Sequence, residues 1–219
     1  MIKKAVIFDM DGVICHTNPY HSKAFRVFFE KRNVFPTDQE FTDHMFGKNN
    51  TYILKHFLGR EIVGQEFLQM EEEKEGLFRK IYADVVETIP GYMDFLKSLK
   101  ANGFLTGVAT SAPRANLTLI MGKVGFEPFM ESILTSEDVS AHKPNPEVYL
   151  KSAKNLDVLP EHCLVFEDSF SGVSAAINAG MKVVGVLSSH TKEELPPCND
   201  YINHYNDINM VAVQKILSS

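Results

Sequence analysis

The chain has 219 residues, 44% hydrophobic and 23% charged. That is the balance of a folded globular protein, one domain with an insertion or two small ones, and it excludes intrinsic disorder and a coiled coil. Its 22 Lys and Arg against 28 Asp and Glu give a formal charge of −6, so neither nucleic acid nor an anionic membrane is expected as the main partner. An anionic substrate would need a local cationic site or a bound metal. Cys15, Cys163 and Cys198 form no C-x-x-C pair, which argues against a disulfide framework or Cys-rich zinc site and for a reducing, cytoplasmic setting. No stretch reaches the ~18 apolar residues of a membrane span. Asp9 and Asp11 interrupt the apolar run that follows Lys3-Lys4, so it does not form a signal-peptide core.

In chain order, Ala5–Phe8 is a short, wholly apolar run that suits a strand buried on both faces of a parallel sheet. It ends at Asp9-Met10-Asp11-Gly12, where the glycine permits an immediate turn. From about Asn18 the texture becomes helical. Tyr20–Arg32 carries Ala24, Phe25, Phe28 and Phe29 at helical spacing, and Thr37-Asp38-Gln39-Glu40 has the capping-box pattern. Thr51–Leu58 and Glu66–Tyr82 are predicted amphipathic helices. The Glu71-Glu72-Glu73 run is predicted to be a solvated helix face rather than a metal site.

After Pro90-Gly91 the pattern alternates. Helices are predicted over Tyr92–Ala101, Asn116–Val124, Pro146–Leu156 and Ser171–Ala179. Strands are predicted over Phe104–Ala109, Ser132–Leu134, Cys163–Phe166 and Lys182–Leu187. Beyond Leu187 no further element is predicted. The alternation implies βαβ units and a doubly wound, parallel-sheet (Rossmann-like) α/β core over residues 1–15 and 87–219, with an all-α unit of residues 16–86 inserted after the first strand.

Polar residues recur where apolar strands stop: Asp9 and Asp11, Thr110 and Ser111, Glu167 and Asp168. Ligands of open α/β sheets bind outside these carboxyl ends. Four carboxylates at neighbouring strand ends would repel one another and raise their pKa values, a penalty that a divalent cation removes. Hard oxygen donors without a His or Cys cluster favour Mg2+ over zinc. Lys143, its backbone pinned by Pro144 and Pro146, could reach a phosphate or neutralise a carboxylate.

Asp9-x-Asp11-Gly12 after a strand, Thr110 after a second, Lys143-Pro144, and Glu167-Asp168-Ser169 after another resemble, in order, the four motifs of the haloacid dehalogenase superfamily. Glu167-Asp168-Ser169-x-x-Gly172-x-x-Ala175-Ala176-x-x-Ala179-Gly180-Met181 is similar to the β-phosphoglucomutase and sugar-phosphatase branch, whose helical cap domain matches the inserted unit. The resemblance implies a Mg2+-dependent phosphoryl-transfer enzyme acting as a monomer on a small phosphorylated metabolite such as a sugar phosphate. Asp9 would be the nucleophile that becomes an aspartyl phosphate, and Asp11 the general acid and base. Thr110, with the amides of Ser111 and Ala112, would hold phosphoryl oxygens, and Lys143 would balance charge. Asp9, Asp11 through its carbonyl, Asp168 and Glu167 would bind Mg2+, Glu167 directly or through water. Asp11 also separates phosphoryl transfer from dehalogenation, which needs no acid at that position.

In the cap, His21 matches a histidine that in the mutase helps place the acid/base residue. A mutase must also hold a second phosphate, and its pattern after the cap glycine has an arginine. Here the stretch is Phe46-Gly47-Lys48-Asn49-Asn50, with Asn50 at that position and Lys48 as a possible substitute. Lysine lacks the bidentate fork of arginine. The departure favours a phosphatase, with water as acceptor, over a β-phosphoglucomutase. A catalytically silent binding protein is the remaining alternative, and the complete acid, threonine and lysine set argues against it.

Overall fold

A computed structural model of the protein describes residues 2–45 and 49–218. The chain divides into two compact units, one of Met1–His16 with Glu87–Ser219 and the other of Thr17–Val86. The first is α/β and holds a parallel sheet of six strands. Its elements are β1 (Ala5–Phe8), α5 (Tyr92–Ala101), β2 (Leu105–Ala109), α6 (Arg114–Val124), β3 (Ser132–Leu134), α7 (Glu147–Leu156), β4 (Cys163–Glu167), α8 (Phe170–Asn178), β5 (Lys182–Val186), β6 (Asp200–Ile202) and α9 (Met210–Ile216). The strand order is β3-β2-β1-β4-β5-β6. β1, apolar throughout and fully buried, lies between β2 and β4.

Alternation along β1 sends side chains to opposite faces. Ala5 and Ile7 join a core with Tyr149 and Ala153 of α7 and Val173 and Ala176 of α8. Phe8 points the other way, into an aromatic cluster where Tyr92 and Phe166 each lie 5.3 Å from its ring, beside Phe95 and Tyr205. Each fully buried large apolar side chain contributes roughly 1.5–3 kcal/mol. Covering both faces fixes the sheet, and with it the line along which its strands end.

β6 and α9 lie beyond the last predicted element. β6, Asp200–Ile202, is as short as β3 but opens on an aspartate directly after Asn199, residues disfavoured in strands. The start of α9 is marked by Asn209, whose side chain accepts from the Ala212 amide at 3.1 Å. α6 begins at Arg114, two residues before the predicted start, within the usual uncertainty of helix ends.

The second unit is all-α among the described residues: α1 (Asn18–Glu30), α2 (Asp38–Met45), α3 (Asn50–Leu58) and α4 (Gly64–Tyr82). Phe25, Phe28 and Phe29 of α1 pack with Phe41, Ile53 and Leu54 in its core. The capping box forms reciprocally. The Thr37 amide and hydroxyl each donate to Glu40 Oε2 at 2.8 Å, and the Glu40 amide donates to Thr37 Oγ1 at 3.2 Å. The glutamate run is not uniformly solvated. Glu73 pairs with Arg32 at 2.5 Å, Glu72 with Arg79 at 2.5 Å, and Glu71 accepts from Asn50 at 2.9 Å. No helix among the described residues is long and apolar enough to cross a membrane.

Candidate active site

The chain leaves β1 to one side for β2 and β3, then returns for β4 on the other. This makes the carboxyl ends of β1 and β4 the switch point where open α/β sheets bind ligands. Register places Phe8 opposite both Val108 and Phe166, so Asp9 emerges level with Ala109 and Glu167. The Asp9 amide donates to the Phe166 carbonyl at 3.0 Å. Beyond it the chain turns tightly, with the amides of Val13, Ile14 and Cys15 all directed at the Met10 carbonyl. Gly12 takes φ +71°, and a Cβ there would stand 2.0 Å from Asp168 Oδ2. Only glycine lets the Asp9 loop pass so close to the Asp168 carboxylate.

Lys143 brings the strand ends together. Its Nζ donates to Asp9 Oδ1 at 2.6 Å, to Glu167 Oε1 at 2.7 Å and to the Ala109 carbonyl at 3.1 Å. Its three protons thus have three acceptors from β1, β4 and β2. Burial alone would push this ammonium down, but Asp9, Glu167 and Tyr149 outweigh it and hold it well above the usual lysine range. Burial pushes the Asp9 carboxyl well up; Lys143 opposes the rise, while Glu167, Asp11 and Asp168 add to it.

Asp168 is tied to the next strand end. Ser189 Oγ donates to Asp168 Oδ2 at 2.5 Å. Ser188 Oγ donates to the Gly12 carbonyl at 2.5 Å and lies 3.4 Å from Asp168 Oδ2. The segment after β5 therefore braces both the Asp9 loop and Asp168. Thr110, at the end of β2, is buried, and its Oγ1 accepts from the Ala112 amide at 3.0 Å. Ser111 is exposed.

The donor set suits magnesium. Among the described residues no three His, Cys, Asp or Glu side chains form a ready metal cage. However, Mg2+ keeps several waters and needs only one or two carboxylates. Asp9 and Asp168 would supply these, beside a loop whose Gly12 passes close to Asp168 because it lacks a Cβ. Burial does most to raise the Asp9 carboxyl, and the neighbouring Glu167, Asp11 and Asp168 add a smaller share that a cation would relieve.

The α/β unit thus brings Asp9, Lys143, Glu167 and Asp168 into one cluster, with Asp11 in the same loop and Thr110 at the adjoining strand end. Ser111 and Ala112 follow Thr110 in the same unit; of the other predicted site residues, His21 and Asn50 belong to the helical unit and Lys48 lies outside the described residues. His21 stacks on Phe78 with ring centroids 3.7 Å apart, and its Nδ1 is 2.9 Å from Lys74 Nζ. Lys74 also donates to Glu75 at 2.8 Å, and both are buried. Asn50 Nδ2 donates to Glu71 at 2.9 Å and to Glu75 at 3.1 Å. The sequence does not single out Lys74 and Glu75, and it gives Glu71 only as part of a solvated run, because a charged stretch on a helix gives no sign of which side chains turn inward. Ser188 and Ser189 had a usable signal: they follow an apolar strand as the other polar site residues do.

The sequence profile of the family described as haloacid dehalogenase-like hydrolase matches residues 6–186. The chain is 30% identical over 190 residues to a phosphorylated carbohydrates phosphatase of Thermotoga maritima, covering 85% of this chain and 86% of the relative. It is 30% identical over 192 residues to a β-phosphoglucomutase of Bacillus subtilis, covering 84% and 83%. A chloroplastic 5-amino-6-(5-phospho-D-ribitylamino)uracil phosphatase of Arabidopsis thaliana is 26% identical over 96% of this chain, but the chain spans only 57% of its length. Among solved structures, a family IA, variant 3 hydrolase from Entamoeba histolytica superposes with a TM-score of 0.93 at 27% identity, covering 99% of this chain and all of the other.

Proposed function

The chain belongs to the haloacid dehalogenase-like hydrolase family, and on that footing we propose that it is a Mg2+-dependent phosphatase of small sugar phosphates, working through an aspartyl phosphate on Asp9. One observation carries the proposal. A buried carboxylate at the switch point of the sheet has one oxygen fixed by Lys143 at 2.6 Å, with Asp168 on the adjoining strand end.

Asp9 attacks the phosphorus while Asp11 protonates the departing sugar oxygen. Asp11, now ionised, takes a proton from the water that attacks the aspartyl phosphate, releasing phosphate and restoring Asp9. Dividing one displacement into two lowers each barrier. Thr110 Oγ1 accepts from the Ala112 amide, which engages that amide and leaves the hydroxyl proton to donate to a phosphoryl oxygen, with the Ser111 amide as a second donor. Lys143 holds Asp9 in line and faces the charge that develops on the transferring group. Asp9, Asp168 and the Asp11 carbonyl would hold Mg2+, which supplies positive charge to the phosphoryl oxygens.

Water as acceptor is supported by Asn50. Its amide is engaged by two carboxylates, Glu71 and Glu75, surroundings that disfavour a second phosphate. The mutase reading draws on the 30% identity to a β-phosphoglucomutase. His21, Asn50 and Lys48 are proposed to set substrate choice from the helical unit. Action as a monomer in the cytoplasm, without nucleic acid or membrane as partner, is part of the same proposal. A panel of phosphorylated metabolites, read for phosphate release and for isomer formed with glucose 1,6-bisphosphate present, tests it. Phosphate release is the expected outcome; isomerisation well above hydrolysis would replace the phosphatase with the mutase.

A further inference from the structure

The Glu167 carboxylate is saturated. Its Oε2 accepts from the amides of Asp168 and Ser169 at 2.9 and 3.0 Å and from Ser169 Oγ at 3.1 Å. Its Oε1 accepts from Lys143 Nζ at 2.7 Å and from the Tyr149 hydroxyl at 3.0 Å. A carboxylate offers about four lone-pair sites, so five donors leave no room for a cation. Gly172 closes the remaining space, since a Cβ there would stand 1.6 Å from Oε1.

Tyr149 reaches this carboxylate from α7. It is fully buried, and Lys143 Nζ lies 4.8 Å from the centre of its ring. The same side chain therefore touches both members of the Lys143–Glu167 pair, with its hydroxyl on one and its ring face on the other. A lysine is a point charge on a flexible four-carbon stem, so its aim at Asp9 depends on how firmly its other acceptors are held.

We propose that Tyr149 is a positioning residue. By fixing Glu167 Oε1 and backing Lys143, it aims the ammonium at Asp9, and Glu167 serves as the anchor of that lysine rather than as a direct ligand of the cation. The proposal rests on the phosphoryl-transfer reading above and adds to it a residue that touches neither substrate nor metal.

The test compares the unmodified protein with Tyr149→Phe, Glu167→Gln and Asp168→Asn. It reads kcat and KM on a chromogenic phosphate ester at saturating Mg2+, Mg2+ affinity by calorimetry without substrate, and Tm. Tyr149→Phe keeps the ring and removes one hydrogen bond to a charged group, so kcat is expected to fall about tenfold. KM and Mg2+ affinity should change by no more than about threefold, less than the loss of one such bond. Glu167→Gln should lower kcat at least as far while still binding Mg2+, whereas Asp168→Asn should lose Mg2+ binding. A wild-type kcat in Tyr149→Phe, or loss of Mg2+ affinity in Glu167→Gln as complete as in Asp168→Asn, would overturn the proposal. Should Tyr149→Phe fail to fold, Glu167→Gln decides alone by the same two readouts. An unmodified protein that binds no Mg2+ and releases no phosphate would instead overturn the phosphoryl-transfer reading beneath it.

Discussion

Lys143 in the α/β unit and Lys74 in the helical unit each have a side chain 4% exposed, but the charge around them differs. Lys74 meets one buried carboxylate, Glu75 at 2.8 Å, with the Phe25 ring 4.3 Å away and His21 at 2.9 Å. Lys143 meets two carboxylates, Asp9 and Glu167, and Asp11 and Asp168 add to the negative charge that Asp9 feels. The first is an ion pair in local balance. The second leaves an excess of negative charge at the end of the central strand, and this excess is what the proposed cation and phosphoryl group would use. Burying charge is costly in both places; only the imbalance distinguishes the site where chemistry is proposed.

The largest expected effect is at Lys143. Lys143→Met leaves Asp9 and Glu167 facing each other without their cation. Removing one partner of a buried pair costs about 3–5 kcal/mol, measurable by denaturant unfolding, and turnover should fall by at least about 10^2–10^3. Lys74→Met should cost similar stability, because it leaves Glu75 buried without its cation. The contrast appears in the doubles. Lys74→Met with Glu75→Leu should regain most of the stability, since a balanced pair can be replaced by apolar residues. Lys143→Met with Glu167→Leu should remain without turnover however well it folds, because Asp9 still lacks its cation.

Glycines give a second contrast. Gly172→Ala drives a Cβ into Glu167 and should cost about 1–3 kcal/mol by overpacking, with lower kcat, as read by unfolding and steady-state kinetics. Gly76, inside α4, has as nearest neighbour only the tip of Arg79 at 3.7 Å. Gly76→Ala should therefore stabilise the protein by about 0.5–1 kcal/mol.

Asn50→Arg sharpens the comparison on the helical side. An arginine at this position meets Glu71 and Glu75, which already hold the asparagine amide, and is captured as an ion pair before it can serve a second phosphate. The ratio of isomer to released phosphate should rise only when Glu71→Gln is added, by about tenfold or less if a single charged contact is gained. A large rise in Asn50→Arg alone would show that the glutamates do not compete.

Much of the α/β unit was legible because β1 and β4 are continuous apolar runs and each stops at acidic residues. Asp9 and Asp168 could be named for the same reason, since strand ends are positions that a sequence marks; Lys143, in the loop between β3 and α7, was marked instead by the prolines that follow it. What could not be read was which way carboxylates turn. Glu167 stands beside Asp168 in sequence, yet its oxygens are taken by Tyr149, Lys143 and the turn at Ser169, contacts set by the packing of α7 on the sheet. Glu71, Glu72 and Glu73 form one run but find three different partners, because successive helical residues face different directions. β6 was missed because Asn199-Asp200 at its start reads as a turn.

The central claim is that the excess of negative charge around Asp9 exists to hold a divalent cation for phosphoryl transfer. The most direct measurement is phosphate release from a sugar monophosphate by the unmodified protein and by Asp9→Asn, each with Mg2+, with excess chelator, and with Mg2+ restored. The unmodified protein should release phosphate with Mg2+, stop in chelator and recover on restoration. Asp9→Asn should stay at least about 10^4-fold below the Mg2+-supplied unmodified protein under all three conditions, as expected for loss of a nucleophile, with its unfolding transition still cooperative. Release that continues in chelator, or that Asp9→Asn sustains at the unmodified rate, would contradict the account.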